Sequence, residues 1–168
     1  EVMSVSSASL SGNSWEFSGK NKVDLSVNTE AIAAGIVGGN GKDSITNAAT
    51  LNVSAVSDIS AEGVSGTMFG AGAVNMSING DAFAIGIDGG NGKDEIVNQG
   101  DITVSATSDI HTKSIAASLL GAAQVNDSDF DGSTTATATA AGIYTGMAKD
   151  EVFGISNASA IDVQATAS

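Results

Sequence analysis

Apolar and polar residues alternate with a period of two over most of this chain. The segments 51–55, 74–78 and 102–106 each place an aliphatic residue at every second position. This period predicts β-strands with one buried face. Residues 114–125 (SIAASLLGAAQV) would also suit a helix, but their counterpart 65–76 (SGTMFGAGAVNM) carries three glycines, which weaken helices. Both segments are therefore predicted to be extended.

The alternating segments recur in a 51-residue unit. Residues 31–59 align without a gap with residues 82–110 and are identical at 18 of 29 positions. A third copy starts at Ala138, and the first residues of the chain align with residues 52–59. We interpret the chain as one domain over residues 1–168, with copies at about 1–30 (partial), 31–81, 82–137 and 138–168 (partial).

The third copy departs from the others in two places. Eleven residues, 127–137, stand where the second copy has the six residues 76–81. A further three-residue slip follows Asp150. The register of the third copy is therefore offset from that of the second after each departure.

Short strands, Gly/Asn/Asp turns and a long fixed repeat predict an all-β fold, a right-handed parallel β-helix (β-solenoid). Coils of such solenoids commonly take roughly 18 to 25 residues, so each of the three units is predicted to form about two coils. The alternative is an antiparallel β-sandwich, although hairpins give no reason for side chains to recur at one long period.

Composition narrows the function classes. The chain has 21 glycines and no proline, as expected for tight turns and unbroken hydrogen-bond ladders. It has no arginine and a net charge of −13, so no nucleic acid is expected as a partner. No apolar run is as long as a membrane-spanning helix requires, which predicts no membrane insertion. Cysteine is absent, which excludes disulfides and thiolate sites.

A glycine-rich motif with a closing aspartate occurs at residues 38–43 and 89–94, both GGNGKD. It resembles the calcium-binding nonapeptide of the RTX (repeats-in-toxin) proteins. The resemblance implies Ca²⁺ ligation by Asp43, Asp94 and the carbonyls of the two turns, which contain Asn40 and Asn91. The other interpretation is a tight corner capped by an Asx hydrogen bond. With two coils per unit, the two aspartates would lie roughly 10 Å apart, too far to share an ion.

The insertion supplies a second candidate calcium site. Residues 127–133 (DSDFDGS) match the opening D-x-D-x-D-G of an EF-hand-like loop, with Asp127, Asp129 and Asp131 as alternate carboxylates and the carbonyl of Ser133 following the glycine. Ala138 stands at the twelfth position, where a bidentate glutamate would belong. The alternative is an acidic, solvated loop.

Asparagine recurs at one position of the repeat, as Asn47, Asn98 and Asn157. Stacked asparagines at a turn can hydrogen-bond along the axis of a solenoid, so a structural ladder is predicted. Residues 96–104 (IVNQGDITV) resemble the repeats of bacterial haemagglutinin- and autotransporter-like β-helices. This resemblance implies an extracellular, surface-exposed protein.

The residues of a catalytic site are hard to find in this sequence. His111 has no recurring partner, and adjacent acids such as Asp94 and Glu95 point to opposite faces of a strand. β-Helical polysaccharide enzymes need Lys or Arg bases, clustered carboxylates and aromatic sugar platforms, and with no arginine, one Trp and one Tyr this combination is nearly absent. We therefore predict that the protein is not an enzyme.

The leading functional hypothesis is a non-catalytic structural or adhesive segment of a large secreted or cell-surface bacterial protein, with Ca²⁺ fixing its turns. The chain opens on Glu1 and shows no signal peptide, which fits a segment of something longer. One alternative is a module that binds a cell-surface glycan, a protein or ice. Ice binding would require a regular threonine array, and Thr135, Thr137 and Thr139 alternate but are not echoed in another repeat. Another is end-to-end self-assembly into filaments.

Overall fold

The computed structural model describes residues 1–125, 133–145 and 154–168 of the chain. Over these residues the fold is all-β, and no helix is present. The segment 114–125 lies inside a strand, so the prediction that it is extended is confirmed. The strands are β1 (Val2–Val37), β2 (Ser44–Asn47), β3 (Leu51–Asp88), β4 (Glu95–Asn98), β5 (Ile102–Val125), β6 (Thr134–Tyr144), β7 (Gly154–Asn157) and β8 (Ile161–Ala167).

All pairs between these strands are parallel, and their register follows the sequence repeat. Val2 pairs with Val53 and Leu51 pairs with Ile102, so hydrogen-bonded neighbours lie one whole repeat unit apart. The larger sheet has the order β1-β3-β5-β8, with β6 also on β3, and the smaller sheet has the order β2-β4-β7. The alternative of an antiparallel β-sandwich is therefore wrong.

The prediction of two coils per unit is also wrong. Two coils would place residues about half a unit apart in hydrogen-bonded contact, but the observed neighbours are a whole unit apart. Each 51-residue unit thus contributes one broad layer. The strands are far longer than in ordinary coils, because β1 and β3 run for 36 and 38 residues.

The two insertions of the third copy appear as shifts in the pairing register. Ile78 pairs with Thr134 and Ile102 pairs with Ile161, so both partners lie further along the chain than one repeat unit. The first partner is displaced by five positions and the second by a further three, which matches the two departures seen in the sequence. The strands that follow each departure still pair in parallel with the preceding layer.

Each long strand bends back, so that its two halves face each other. In β1 the even-numbered residues are the less exposed ones before the bend. After it, the odd-numbered residues from 21 to 33 are the less exposed ones. Gly19, with φ of 113°, lies in the bend and stacks under Gly70 and Gly121, which also have positive φ. A Cβ placed on Gly12 would lie 2.7 Å from Cγ1 of Val23, which shows how closely the halves approach.

Small aliphatic residues stacked on their counterparts form the core. One cluster lies between the two halves of the long strands near the bend, and its buried members are Val23, Leu25, Ile59, Ala61, Val74, Met76 and Ile78. The other includes the short strands and consists of Ala31, Ala33, Ile45, Val53, Ala55, Ala82, Ala84, Ile87, Ile96, Ile102, Val104 and Ala106. Pairs such as Ala31 with Ala82 show like residues stacking over like.

Candidate cation site at the glycine turn

The GGNGKD motif forms the corner between a long strand and the following short strand. Successive corners are joined by backbone hydrogen bonds, because the N–H of Asn91 donates to the carbonyl of Gly39 (2.8 Å) and the N–H of Gly41 donates to the carbonyl of Asn91 (2.7 Å). Asn40 and Asn91 form a parallel bridge at the centre of this contact. These two turn carbonyls therefore accept hydrogen bonds from the adjacent layer.

The asparagine side chains of the turn lie on its outer, solvent-exposed side. The Nδ2 amide of Asn91 donates to Oδ1 of Asn40 over 3.1 Å. The structure thus places Asn40 and Asn91 in an external amide ladder and does not bring them together with the aspartates of the motif. Their role in the described geometry is to join one corner to the next.

The two aspartates of the motif point to the inside of the corner. The backbone N–H of Asp43 donates to Oδ1 of Asp94 over 3.0 Å, and Asp94 is only 4% exposed. The prediction that a whole coil separates the two aspartates is therefore wrong, because successive units are adjacent layers. The objection that Asp43 and Asp94 are too distant to share an ion disappears with it.

Each of these carboxylates has one buried oxygen without a hydrogen-bond donor. Oδ2 of Asp43 and Oδ2 of Asp94 are both inaccessible to solvent and unpartnered within the described part of the chain. They lie against the glycines of the turn, since a Cβ on Gly38 would be 3.2 Å from the first and a Cβ on Gly89 would be 3.0 Å from the second. Two stacked, desolvated carboxylates with free oxygens form an environment that favours a hard cation.

Few side chains that could ligate a cation lie near Asp43 and Asp94 in the part of the chain that is described. Residues 1–125, 133–145 and 154–168 contain no group of three or more acidic, histidine or cysteine side chains arranged to hold a metal. The counterpart of the two aspartates in the third copy is Asp150, which lies outside the described residues. A depression of about 260 Å³, lined by Lys42, Lys93, Asp94, Glu95 and Gly154, adjoins Asp94.

The second candidate site is described only at its end. Asp127, Asp129 and Asp131 lie outside the described residues. The carbonyl of Ser133, predicted as a ligand, accepts a hydrogen bond from the N–H of Ile78 (2.7 Å) at the start of the β3–β6 pairing. This contact aligns the chain after the insertion with the layer beneath it.

The predicted asparagine ladder is confirmed. Nδ2 of Asn47 donates to Oδ1 of Asn98, and Nδ2 of Asn98 donates to Oδ1 of Asn157, both over 2.7 Å. The Nδ2 group of Asn98 also donates to the carbonyl of Gly100 (2.8 Å). Asn98 is completely buried, so the ladder satisfies polar groups inside the corner that water does not reach.

Sequence analysis overlooked a cluster of exposed apolar residues at the bend of the long strands. The local signal is a break in the alternation, because the pairs Met68–Phe69 and Leu119–Leu120 place two large apolar residues side by side at one repeat position. In a single strand such a pair puts one side chain on each face. At a bend both side chains point outwards, and both members of each pair are exposed.

No family model, curated protein or solved structure matches this chain. Among the described residues there is also no helix long and apolar enough to cross a membrane. The strand register, the buried aspartates and the surface of the molecule are therefore the features that bear on function.

Proposed function

We propose that this chain is a non-catalytic structural or adhesive segment of a large secreted or cell-surface protein, built as a right-handed parallel β-solenoid with one coil per 51-residue unit. The observation that carries the proposal is the 51-residue parallel register, in which like residues stack on like. Right-handedness is expected because crossovers between parallel strands of one sheet are almost always right-handed.

The dimensions of a layer favour rigidity and surface area over reach. A stack of parallel strands rises by about 4.8 Å per layer, so each unit adds little length along the axis. The same residues form two long faces with outward side chains in columns. Such faces suit lateral contact with other molecules, as in an adhesive or scaffolding segment.

The one histidine of the sequence lies on the surface beside an aspartate. His111 is exposed, and its Nε2 lies 3.3 Å from Oδ2 of the partly exposed Asp109. The ice-binding alternative would require threonines stacked in columns from layer to layer. The neighbours of Thr135, Thr137 and Thr139 in the layer beneath are Asn79, Asp81 and Phe83. These three threonines therefore do not continue as columns into that layer.

Limited proteolysis and small-angle X-ray scattering test the solenoid segment. We expect a compact, protease-resistant body whose scattering matches stacked layers with a broad cross-section. Rapid cleavage throughout the strands, or scattering typical of a flexible chain, would contradict the proposal. Adhesion can be tested with beads coated with the protein. We expect the beads to be retained on cells or on immobilised glycans. Beads that are retained on neither surface would contradict an adhesive role.

We further propose that Asp43 and Asp94 hold Ca²⁺ between adjacent corners. Their Oδ2 atoms would be the ligands, since both are buried and lack hydrogen-bond donors. The cation would neutralise two like charges that the stacking places in neighbouring layers. Because the site exists only in the folded stack, binding would stabilise the native state by mass action.

Calcium is expected to raise the melting temperature of the chain. At free Ca²⁺ about 100 times the dissociation constant, the gain is about 2.7 kcal/mol, or roughly 5–10 °C for a chain of this length. The measurement is a thermal melt followed by circular dichroism in millimolar Ca²⁺ and in excess chelator. Identical melting temperatures in the two conditions would remove the calcium proposal.

Substitutions can assign the calcium response to one site. The double variant Asp43→Asn/Asp94→Asn is expected to lose the response and to gain stability in chelator, because stacked amides can bond as Asn47 and Asn98 do. Asp58→Asn, which removes an exposed carboxylate, is the matched control and is expected to keep the response. Loss of the response in Asp131→Ala, with the double variant unaffected, would move the site to the insertion.

A further inference from the structure

The bend of the long strands carries an exposed apolar surface, which we name the apolar tip. It spans three layers, and its most exposed members are Leu119 at 72%, Phe17 at 69% and Trp15 at 67%. Like residues in the core, these side chains stack along the axis, but here they face solvent. The apolar tip consists of Trp15, Phe17, Met68, Phe69, Leu119 and Leu120.

Aromatic residues are concentrated at this tip. The chain has one Trp, one Tyr and five Phe, and three of these seven residues belong to the apolar tip. The rings of Phe17 and Phe69 meet edge to face at 5.4 Å. The ring of Trp15 lies over Gly66, where a Cβ would overlap it, so the indole extends across the next layer. These contacts order the aromatic side chains without burying them.

The tip contains both a groove and a projecting side chain beside it. The groove has a volume of about 440 Å³ and is lined by Trp15, Glu16, Phe17, Thr67, Met68 and Leu119. Leu120 does not line the groove and is 62% exposed. One copy of the chain therefore offers a hydrophobic recess and a leucine of a size that can enter it.

The exposed apolar area is large for a monomer. A large aromatic side chain carries roughly 150–250 Å². If about 200 Å² is taken for each of the six residues, their exposed fractions sum to roughly 700 Å². The largest apolar patch on a typical monomer is about 300–600 Å². Burying this surface on two copies would remove roughly 1,400 Å² from solvent, which lies within the range of about 1,200–2,000 Å² for stable interfaces.

We propose that the apolar tip is a homodimer interface, in which two copies meet tip to tip about a two-fold axis and Leu120 of each enters the groove of the other. A two-fold interface uses the same patch on both subunits, and this patch holds both complementary features. The net charge of −13 opposes an anionic lipid surface and a second copy alike, so the choice of a second copy rests on the groove and the leucine that fit each other. Within a larger protein, such contacts would join two solenoids side by side.

Sedimentation and light scattering of the intact chain test the dimer. At micromolar concentrations we expect a mass twice the 16.5 kDa of the monomer. Salt should strengthen the association, because screening reduces repulsion between two acidic copies. A monomer at every concentration tested would overturn the proposal.

Fluorescence gives a second, local measurement. Trp15 is the only tryptophan in the chain, so the emission spectrum reports on the tip alone. We expect the emission to shift to shorter wavelength as the protein concentration rises, because the indole leaves water when the tips meet. A dimer whose emission is independent of concentration would place the interface elsewhere.

Variants at the tip separate this interface from other assemblies. Leu120→Asp and Leu119→Asp are each expected to raise the dimer dissociation constant by at least about tenfold, while their melting curves stay close to that of the unchanged monomer. Met3→Asp, at an exposed apolar position remote from the tip, is the matched control and should still dimerise. Oligomers that persist in both tip variants would indicate end-to-end pairing of strand edges instead, and a monomer that binds zwitterionic vesicles would indicate a lipid partner.

Discussion

Replacing Gly90 by alanine is expected to destabilise the protein by about 4 kcal/mol, far more than the same change at Gly39. The two glycines occupy the same position of successive turns and both have positive φ, 82° and 101°. A Cβ on Gly90 would overlap the carbonyl oxygen of Gly39, whereas a Cβ on Gly39 has no atom within 4 Å. Gly90→Ala therefore adds a steric overlap between layers to the backbone strain that both variants share.

Urea unfolding of the two variants measures the difference. Gly39→Ala is expected to lose about 1–2 kcal/mol, the usual penalty for a left-handed conformation in a residue with a Cβ. The additional loss in Gly90→Ala arises because the alanine must push apart two corners joined by the hydrogen bond from the N–H of Asn91 to the carbonyl of Gly39. Equal losses in the two variants would show that the corners do not stack in this register.

Replacing Asn98 by alanine is expected to lower the free energy of unfolding by about 3 kcal/mol. Asn98 is fully buried and links the amide of Asn47 to the carbonyl of Gly100. Without it, two buried polar groups lose their partners, at about 1–3 kcal/mol each. Asn157, in the outermost layer, is exposed, so its carbonyl oxygen can bond to water instead.

Asn79→Ala is the matched control for the buried ladder. Asn79 also donates from its side-chain amide to its counterpart in the preceding unit, Asn28, but this 3.2 Å contact is exposed. We expect a loss of less than about 1 kcal/mol, since water replaces the bonds that are removed. Equal midpoints of urea unfolding for Asn79→Ala and Asn98→Ala would mean that burial adds nothing to the ladder.

Much of the fold could be predicted because the sequence repeats its side-chain pattern as well as its length. The period of two identified the strands, and the recurrence of asparagine at Asn47, Asn98 and Asn157 identified a ladder that the structure confirms. The register shifts that bring Ile78 to Thr134 and Ile102 to Ile161 follow from insertions that are visible in the alignment. The strands depend on the alternation of neighbouring side chains, and the asparagine ladder and the register shifts depend on the equivalence of residues in successive units.

The number of coils per unit could not be predicted in the same way. A long repeat requires each residue to resemble its counterpart one unit further on, whether one or two coils lie between them. The deciding feature is the bend at the column of Gly19, Gly70 and Gly121, which folds each long strand onto itself. The sequence shows glycines there, but not whether the chain turns back or begins a new coil.

The geometry of the candidate calcium site depends on the number of coils per unit. With two coils per unit, another coil would lie between Asp43 and Asp94. The two carboxylates could then not ligate the same Ca²⁺ ion, despite the resemblance of their turns to calcium-binding turns. With one layer per unit, the aspartates are adjacent and their Oδ2 atoms are buried without donors. The apolar tip depended on the same bend, because only a bend turns both Leu119 and Leu120 towards solvent.

The strands, the equivalence of the 51-residue units and the asparagine column could be predicted from the chain alone, because they follow from side-chain periodicity and repetition. The single layer per unit, the contact of Asp43 with Asp94 and the exposed apolar surface at the bend became visible only in the folded protein. These three properties depend on which distant backbone segments hydrogen-bond to each other. Periodicity makes successive units equivalent, but the packing of the two facing halves decides whether a strand pairs with a segment half a unit or a whole unit away.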